Sequence, residues 1–526
     1  MFELAFLIGT FSYAIFFLGV LGFLYKSYII VVLLLFFLSG LYYFYYYKRI
    51  MAHNYTLKKI SRVSKILITI IILQVSVNLV GVLGPEISFD ALWYHLTLPK
   101  IYLEAHRIFH IPGGLLYYSD IPKNIEMIFL ACLSFGNETW AKFSHFLFGL
   151  LTILVTYKFA RKFLNENLSL FASALFYSNL VVGWESITAY VDLGTTFFTT
   201  VALYCFWEWL EKKTNKFLIF TAVITGLTVA TKTVSLNLIP VFGLLILVKG
   251  FRDGYTFLRS SFNLVLFTAV SVVVGSPWFI FSFLNTGNPF YPLFDPTLSI
   301  VNKFYALGIV NVFLRSQDPI SPVYLITLPL IIYFLKRFSL RVKMLFLFFI
   351  SALILWYLDS QVGDSRFLLP YLPALSVLSV ISIDKLHDKF LKRYLFALII
   401  ILVFFSASYR FMANAKYIPV LLRSESKSEF LSKHLNFSFG DFYDSDGYFK
   451  THVKPTDKVL LYGFHNLYYV DFPFIDSSYV KKGDRFDYIA VQSGNIPTRF
   501  SSWNRIYYNS LTKVSLYSLG GKQWVY

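Results

Sequence analysis

The sequence predicts an all-α polytopic membrane protein with about 13 transmembrane helices and a small α/β domain at its C-terminal end. Three observations carry that prediction. Of 526 residues, 57% are hydrophobic and 20% aromatic while only 14% are charged, whereas soluble domains carry about a quarter. Mean hydropathy is +0.61. The apolar residues gather into runs of spanning length, and these stop near Ala413, where a polar mixed sequence begins. A soluble enzyme and a disordered chain are both excluded.

The long apolar runs are, in order, 4–25, 28–47, 66–84, 139–160, 168–183, 193–210, 262–281, 319–335, 344–358, 367–383 and 394–411. Two short ones, 217–231 and 234–248, meet at Lys232. About 15 residues of helix reach only some 22 Å, which sets Lys232 at or below the membrane surface, pointing into a cavity. The first run has no small-residue cleavage site and reads as a retained span, not a removed signal peptide. Cys132 and Cys205 lie in apolar stretches with no spacing that suits a metal or a disulfide framework.

The net charge of +18 has two possible sources. A nucleic-acid surface would interleave Lys and Arg with aromatics along a stripe. Here the basic residues fall between apolar runs, and parity puts them all on one side: Lys48, Arg49, Lys58, Lys59, Arg62 and Lys65, then Arg161 and Lys162, then Lys212, Lys213 and Lys216. Lys249, Arg252 and Arg259 follow, then Lys336, Arg337, Arg341 and Lys343, and last Lys385, Lys389, Lys392 and Arg393. The positive-inside rule makes this side cytoplasmic, with the amino terminus there too. No nucleic acid is needed as a partner.

The outer side then receives a first large loop at 85–138, the turns around 185–192 and 359–366, the segment 282–318, and everything after the last span. Residues 1–412 form the membrane domain and 413–526 an outer α/β domain. Strand-like runs stand there at 458–463, 486–492, 514–519 and 523–526, and Lys454-Pro455-Thr456-Asp457 reads as a turn before the first of them.

Chemistry concentrates on this outer side. Asp90 follows the third span and stands at the water–membrane boundary, where a partly desolvated carboxylate gains strength as a base; capping of the next helix is the alternative. Asp192 and Glu185 come out at the end of another span, and carboxylates at such depth usually mark a site or a paired partner. Together they could hold one divalent cation, Mg or Mn, or divide base and orienting roles; Asp192 as a helix cap competes with both. Lys123, Lys232 and Arg366 are the positive groups on this K/R-poor face. A lipid-borne phosphate needs such partners, with snorkelling to headgroups as the alternative. His95 lies five residues after Asp90, and His106 and His110 sit at i,i+4 on a possible helix, a spacing that could face a metal but reads better as solvated interfacial histidines.

The ordered set of motifs resembles the phospholipid-carrier-dependent glycosyltransferases of the GT-C fold, the glycosyltransferase family 39-like group that includes protein O-mannosyltransferases and aminoarabinose transferases. The resemblance runs from Phe89-Asp90-Ala91-Leu92-Trp93-Tyr94-His95 through Asp120-Ile121-Pro122-Lys123-Asn124-Ile125-Glu126, Ala189-Tyr190-Val191-Asp192, Ala230-Thr231-Lys232 and Ser276-Pro277-Trp278 to Ser365-Arg366-Phe367-Leu368-Leu369-Pro370. The loop helix departs from the family, with Pro-Lys-Asn-Ile-Glu where better-known members have paired prolines. The resemblance implies transfer of a sugar from a polyprenyl-phosphate donor to an acceptor glycan, lipid or protein at the outer face of a bacterial cytoplasmic membrane. It also implies Asp90 and Asp192 as catalytic residues. Lys232, Arg366, Lys123, His95, Glu126, Glu185 and Tyr190 are implied as substrate-binding residues, without a required metal ligand. A transporter or flippase of lipid-linked or anionic solutes is the alternative, since broken short spans meeting at Lys232 would suit one.

Overall fold

The computed structural model describes residues 1–51, 61–294, 312–313, 316, 318–359, 364–435 and 442–526. Lys58 and Lys59 of the first basic cluster, and most of 295–317, lie outside the described residues. Each of the thirteen apolar runs falls on helix. In chain order the helices are α1 (Phe2–Val20), α2 (Lys26–Met51), α3 (Arg62–Leu83), α4 (Thr97–Glu104), α5 (Asn124–Leu133), α6 (Glu138–Ala160), α7 (Glu166–Tyr177), α8 (Leu180–Glu185), α9 (Asp192–Lys212), α10 (Asn215–Val229), α11 (Leu238–Arg252) and α12 (Phe257–Thr286). After them come α13 (Val323–Phe334), α14 (Leu340–Asp359), α15 (Leu372–Asp384) and α16 (Lys389–Asn414).

Among the described residues, nine helical segments are long and apolar enough to cross a membrane, fewer than the thirteen expected. The other four apolar runs fall on α7 and α8, α9, α10 and α13. Helices α7, α10 and α13 have 12, 15 and 12 residues, short of the roughly 20 a span requires. Helix α9 has 21 but carries four threonines and packs with nearly every side chain buried inside the bundle. The chain is a multi-pass membrane protein whose inner helices are shorter or more polar than its lipid-facing ones.

One end of the bundle collects basic groups. Lys162 pairs with Glu208 at 2.5 Å and Glu211 at 2.8 Å, Arg341 reaches Glu211 at 3.1 Å, and Lys212 reaches Glu208 at 2.7 Å. Lys249 and Lys213 share Asp253 at 2.6 and 4.0 Å. Loops assigned to one side by parity therefore meet in space.

The first large loop continues α3 through a π-helical turn, Ala91–His95, into α4, then through a 3-10 turn, Tyr117–Asp120, into α5. Helix α4 ends at Glu104, and His106 has a φ of +54°, so His106 and His110 do not share a helix. The physical reason is the next segment: Gly19 in the last turn of α1 and Leu24 of the α1–α2 connection make backbone hydrogen bonds with Ile108 and His106, which pulls the chain out of helical geometry. His110 instead bonds Asp120 at 2.7 Å, and His106 stacks on Tyr25.

The C-terminal domain is a five-stranded mixed sheet. Strands β1 (Val459–Tyr462), β2 (Phe474–Asp476), β4 (Tyr488–Gln492), β5 (Asn504–Asn509) and β6 (Val514–Ser518) lie in the order β2-β1-β4-β6-β5. β1 is parallel to β2 and β4, while β6 is antiparallel to β4 and β5. A separate ribbon pairs β3 (Arg485–Phe486) with β7 (Trp524–Val525). Turn Lys454–Asp457 closes with Asp457 N–H to Lys454 O at 2.9 Å, as the sequence predicts. Period-2 alternation splits the strands' side chains between two cores. Leu460, Ile489 and Val491 pack with Phe500 and Trp503. Val459, Leu461, Ala490 and Leu516 face the other way and join Leu98, Tyr102, Ile111 and Leu116 of the first loop. Loop and domain thus share one apolar core.

Candidate functional site

Four charged groups meet where the π-helical turn, the N-terminus of α9, the α10–α11 junction and the 3-10 turn before α15 converge. Arg366 Nη1 donates to Asp90 Oδ2 at 2.8 Å, and its Nε lies 4.0 Å from Asp192 Oδ2. Lys232 Nζ donates to Asp192 Oδ1 at 2.6 Å. Aromatic faces complete the cage: Arg366 lies over Tyr190 at 4.9 Å, Lys232 over Phe367 at 3.9 Å, and cations are attracted to such ring faces. The Tyr190 hydroxyl accepts from Asp90 N–H at 3.1 Å.

Local sequence explains why these groups arrive there. Helix α10 stops at Val229, and Lys232 takes an extended φ of −156° before the 3-10 turn that opens α11. Its side chain therefore leaves the helix axis and enters the bundle. Asp192 begins α9, where a carboxylate complements the helix dipole. Accessibility separates the roles: the side chains of Asp90, Arg366 and Lys232 keep 17, 17 and 20% of their surface, whereas Asp192 keeps 4%. Asp90, Arg366 and Lys232 can be reached by a ligand, while Asp192 stands behind and aims the two cations.

Glu185 is fully buried beside this network, and neither of its carboxylate oxygens has a hydrogen-bond partner among the described residues. Its nearest basic group is His145 Nε2 at 4.0 Å. That nitrogen accepts from Leu193 N–H at 3.0 Å while Nδ1 sits 2.9 Å from Thr188 O, an arrangement that suits the neutral tautomer protonated on Nδ1. His95 and Glu126 form a second buried pair at 2.8 Å, and the His95 ring lies 5.4 Å from that of Tyr190. Lys123 is not drawn into the cluster: its Nζ donates to Ile121 O at 2.7 Å and faces the Trp278 ring. Burial in the first loop, outside the spans, pushes the Lys123 ammonium down to about 8.

Sequence reasoning brought Asp90, Asp192, Lys232, Arg366 and Tyr190 to one outer face, and they stand together. It missed the residues that brace them. Glu86 accepts from Ile87 and Ser88 N–H at 2.9 and 2.8 Å and, through its other oxygen, from Ala189 N–H at 2.6 Å. That ties the start of the first loop to the turn that leads into Asp192. Lys142 donates to the carbonyls of Gly81 and Gly84 at 2.8 Å each. The signal for Lys142 and His145 was present: with Glu138 they recur at i, i+4 and i+7 on an otherwise apolar helix. Asp318 and Arg410 form a further pair at 3.4 Å.

The family model for Dolichyl-phosphate-mannose-protein mannosyltransferase matches residues 113–294, about a third of the chain. ArnT from Cupriavidus metallidurans in the apo state is similar in structure, with a TM-score of 0.58 at 12% identity over 87% of this chain and 98% of that one. ArnT from the same organism bound to undecaprenyl phosphate gives a TM-score of 0.55 at 12% identity over 86% and 97%. The oligosaccharyltransferase of Archaeoglobus fulgidus in the apo form follows with 0.49 at 12% identity over 83% and 70%. No curated protein matches the chain by sequence. The fold is the GT-C fold, shared by this chain and ArnT over nearly the full length of both.

Proposed function

We propose that this chain is an integral membrane glycosyltransferase that moves a sugar from a polyprenyl-phosphate donor to an acceptor on the outer face of a bacterial cytoplasmic membrane. The observation that carries the reading is the Asp90–Arg366–Asp192–Lys232 network, two carboxylates interleaved with two cations and open on the Asp90 side. An acceptor hydroxyl oxygen attacks the anomeric carbon as its proton passes to Asp90, a step worth roughly 10² to 10⁴ in rate. The bond from that carbon to the phosphate oxygen breaks, and the electron pair leaves with the polyprenyl phosphate. Arg366 and Lys232 receive the growing phosphate charge, and fixed cations in a dry site need no reorganisation to do so. Asp192 holds both cations in place; His95, Glu126, Glu185 and Tyr190 line the same region for the sugar and acceptor, and Lys123 supports the loop beside them.

A divalent cation fits this donor set poorly. Arg366 lies between the two carboxylates and Lys232 already occupies Asp192, so Mg or Mn would have to displace two fixed positive charges; the reading needs no metal step. The family match supports the reaction class, and the related ArnT holds undecaprenyl phosphate, which supports the donor class. Gathering of the basic loops at one end supports an outward-facing site. The test is a transfer assay with radiolabelled prenyl-phosphate sugars on membranes with and without the protein. Wild type is expected to transfer label and Asp90→Asn to lose nearly all of it; a well-expressed Asp90→Asn that still transfers would remove Asp90 as the base.

A further inference from the structure

Away from the charged network, a cavity of about 630 Å³ opens between the first loop and the C-terminal domain. Its size lies within the roughly 300–1,000 Å³ of small-ligand sites. The walls come from both parts: Lys100 and Glu104 of α4, Asn137 before α6, and Tyr443, Lys450 and Tyr468 of the domain are among them. Its charges are mostly satisfied from within. Glu138 takes Lys427 at 2.6 Å and the hydroxyls of Tyr468 and Tyr469 at 3.3 and 3.2 Å; Asp471 takes the Tyr443 hydroxyl at 2.8 Å. Lys100 donates to the carbonyls of Tyr468 and Val470. Asp444 caps the backbone at Phe449 and Lys450. At the rim, the side chains of Glu104 and Lys450 are exposed and make no hydrogen bond or ion pair among the described residues.

With four carboxylates against three ammoniums, mostly paired from within, the walls offer an anionic ligand no surplus of positive charge. Aromatic walls with a free carboxylate and a free ammonium at the rim instead suit rings that carry hydroxyls, since apolar faces cover the ring while the polar groups bond its edge. The cavity also communicates with the charged network through one segment. Leu467 and Tyr468 N–H both bond Leu92 O, at 3.1 and 3.2 Å, and the His465 ring lies 6.2 Å from those of Phe89 and Trp93. Within this one segment Tyr468, Tyr469 and Asp471 therefore line the cavity, while the Leu467 and Tyr468 backbone holds the turn that carries Asp90.

We propose that this interdomain cavity binds a neutral oligosaccharide, and that this is the acceptor for transfer; the acceptor role rests on the glycosyltransferase reading, while the binding does not. The experiment is calorimetric titration of the full chain in nanodiscs with mannotriose, maltotriose and chitotriose, and with a sulfated trisaccharide as the charged control. At least one neutral probe is expected to bind with a Kd at or below ~1 mM. Glu104→Trp and Lys450→Trp, which push bulk from exposed positions into the cavity, are expected to weaken it tenfold or more with thermal unfolding unchanged. Absence of binding by all three neutral probes, equal binding in both Trp variants, or tighter binding of the sulfated probe would overturn the proposal. Transfer is not read in this experiment, so a failed glycosyltransferase reading leaves its outcome intact.

Discussion

Replacing Arg366 tests whether the four charges act as one device. In the unliganded protein Arg366→Ala removes a charge-assisted hydrogen bond to Asp90 at 2.8 Å, worth about 1.5–3 kcal/mol, and a ring contact with Tyr190 at 4.9 Å, worth about 0.5–1 kcal/mol at a partly exposed site. Both charged side chains keep 17% of their surface, so the lower half applies and stability should fall by about 2 kcal/mol. Transfer should fall further, by roughly 10² to 10³, because one of two phosphate partners is gone. Arg366→Lys keeps the charge without the planar fork and should recover only part of the loss. The sharper measurement is a cycle of Arg366→Ala, Asp90→Asn and the double variant, assayed for transfer from a prenyl-phosphate sugar in nanodiscs. Residues that act together are non-additive, so the double variant should be less impaired than the product of the singles by at least ~1 kcal/mol of coupling. Additivity within ~0.3 kcal/mol, or Arg366→Ala transferring within about threefold of wild type, would refute a shared site.

Lys232→Met should weaken binding of the prenyl-phosphate donor at least ~10-fold, about 1.4 kcal/mol, and leave the acceptor KM unchanged; equal loss of both would count against a phosphate role. Lys123 has its ordinary value of 10.5 in the unfolded chain and about 8 when folded. Below pH 8 both states hold the proton and the burial penalty is complete. As pH rises towards 10.5 the folded state sheds its proton first, so stability should climb by up to ~3 kcal/mol. Lys123→Met should abolish that rise, which denaturant titration at pH 7 and pH 10 would show. Gly113 has a φ of +92°, and a Cβ there would stand 2.0 Å from Ser478 O. Gly113→Ala should therefore loosen the C-terminal domain from the first loop at a cost of about 1–3 kcal/mol, visible as faster proteolytic release of the domain.

The helices were legible because lipid-facing and core runs are long and apolar, and parity of the basic loops placed Asp90, Asp192, Lys232 and Arg366 at one end before any geometry. Four of the thirteen crossings do not qualify as spans by length and hydropathy alone, although the meeting of Lys213, Lys249 and Arg341 with their partners at one end requires the chain to cross there. Helix α9 reads as a span by length, yet its threonines bond the preceding turn, as Thr196 does to Asp192 O at 2.7 Å, which makes an inner helix tolerable at low hydropathy. Strands β2 and β5 escaped prediction for different reasons. Phe474–Asp476 is three residues, too short for a period to show, and Asn504–Asn509 is largely exposed, so no apolar alternation marks it. The i,i+4 spacing of His106 and His110 carries no meaning because no helix joins them. Glu86 could not be found from spacing, since its partner Ala189 is 103 residues away.

The clasp of Leu467 and Tyr468 on the Leu92 carbonyl has a consequence for how the protein comes into being. Asp90 is made early and the segment that steadies its turn is made some 370 residues later, so a nascent chain already threaded through the bilayer holds an unfinished centre. Those two hydrogen bonds complete the turn only after the chain beyond the last long helix has been made and has folded back onto the first loop.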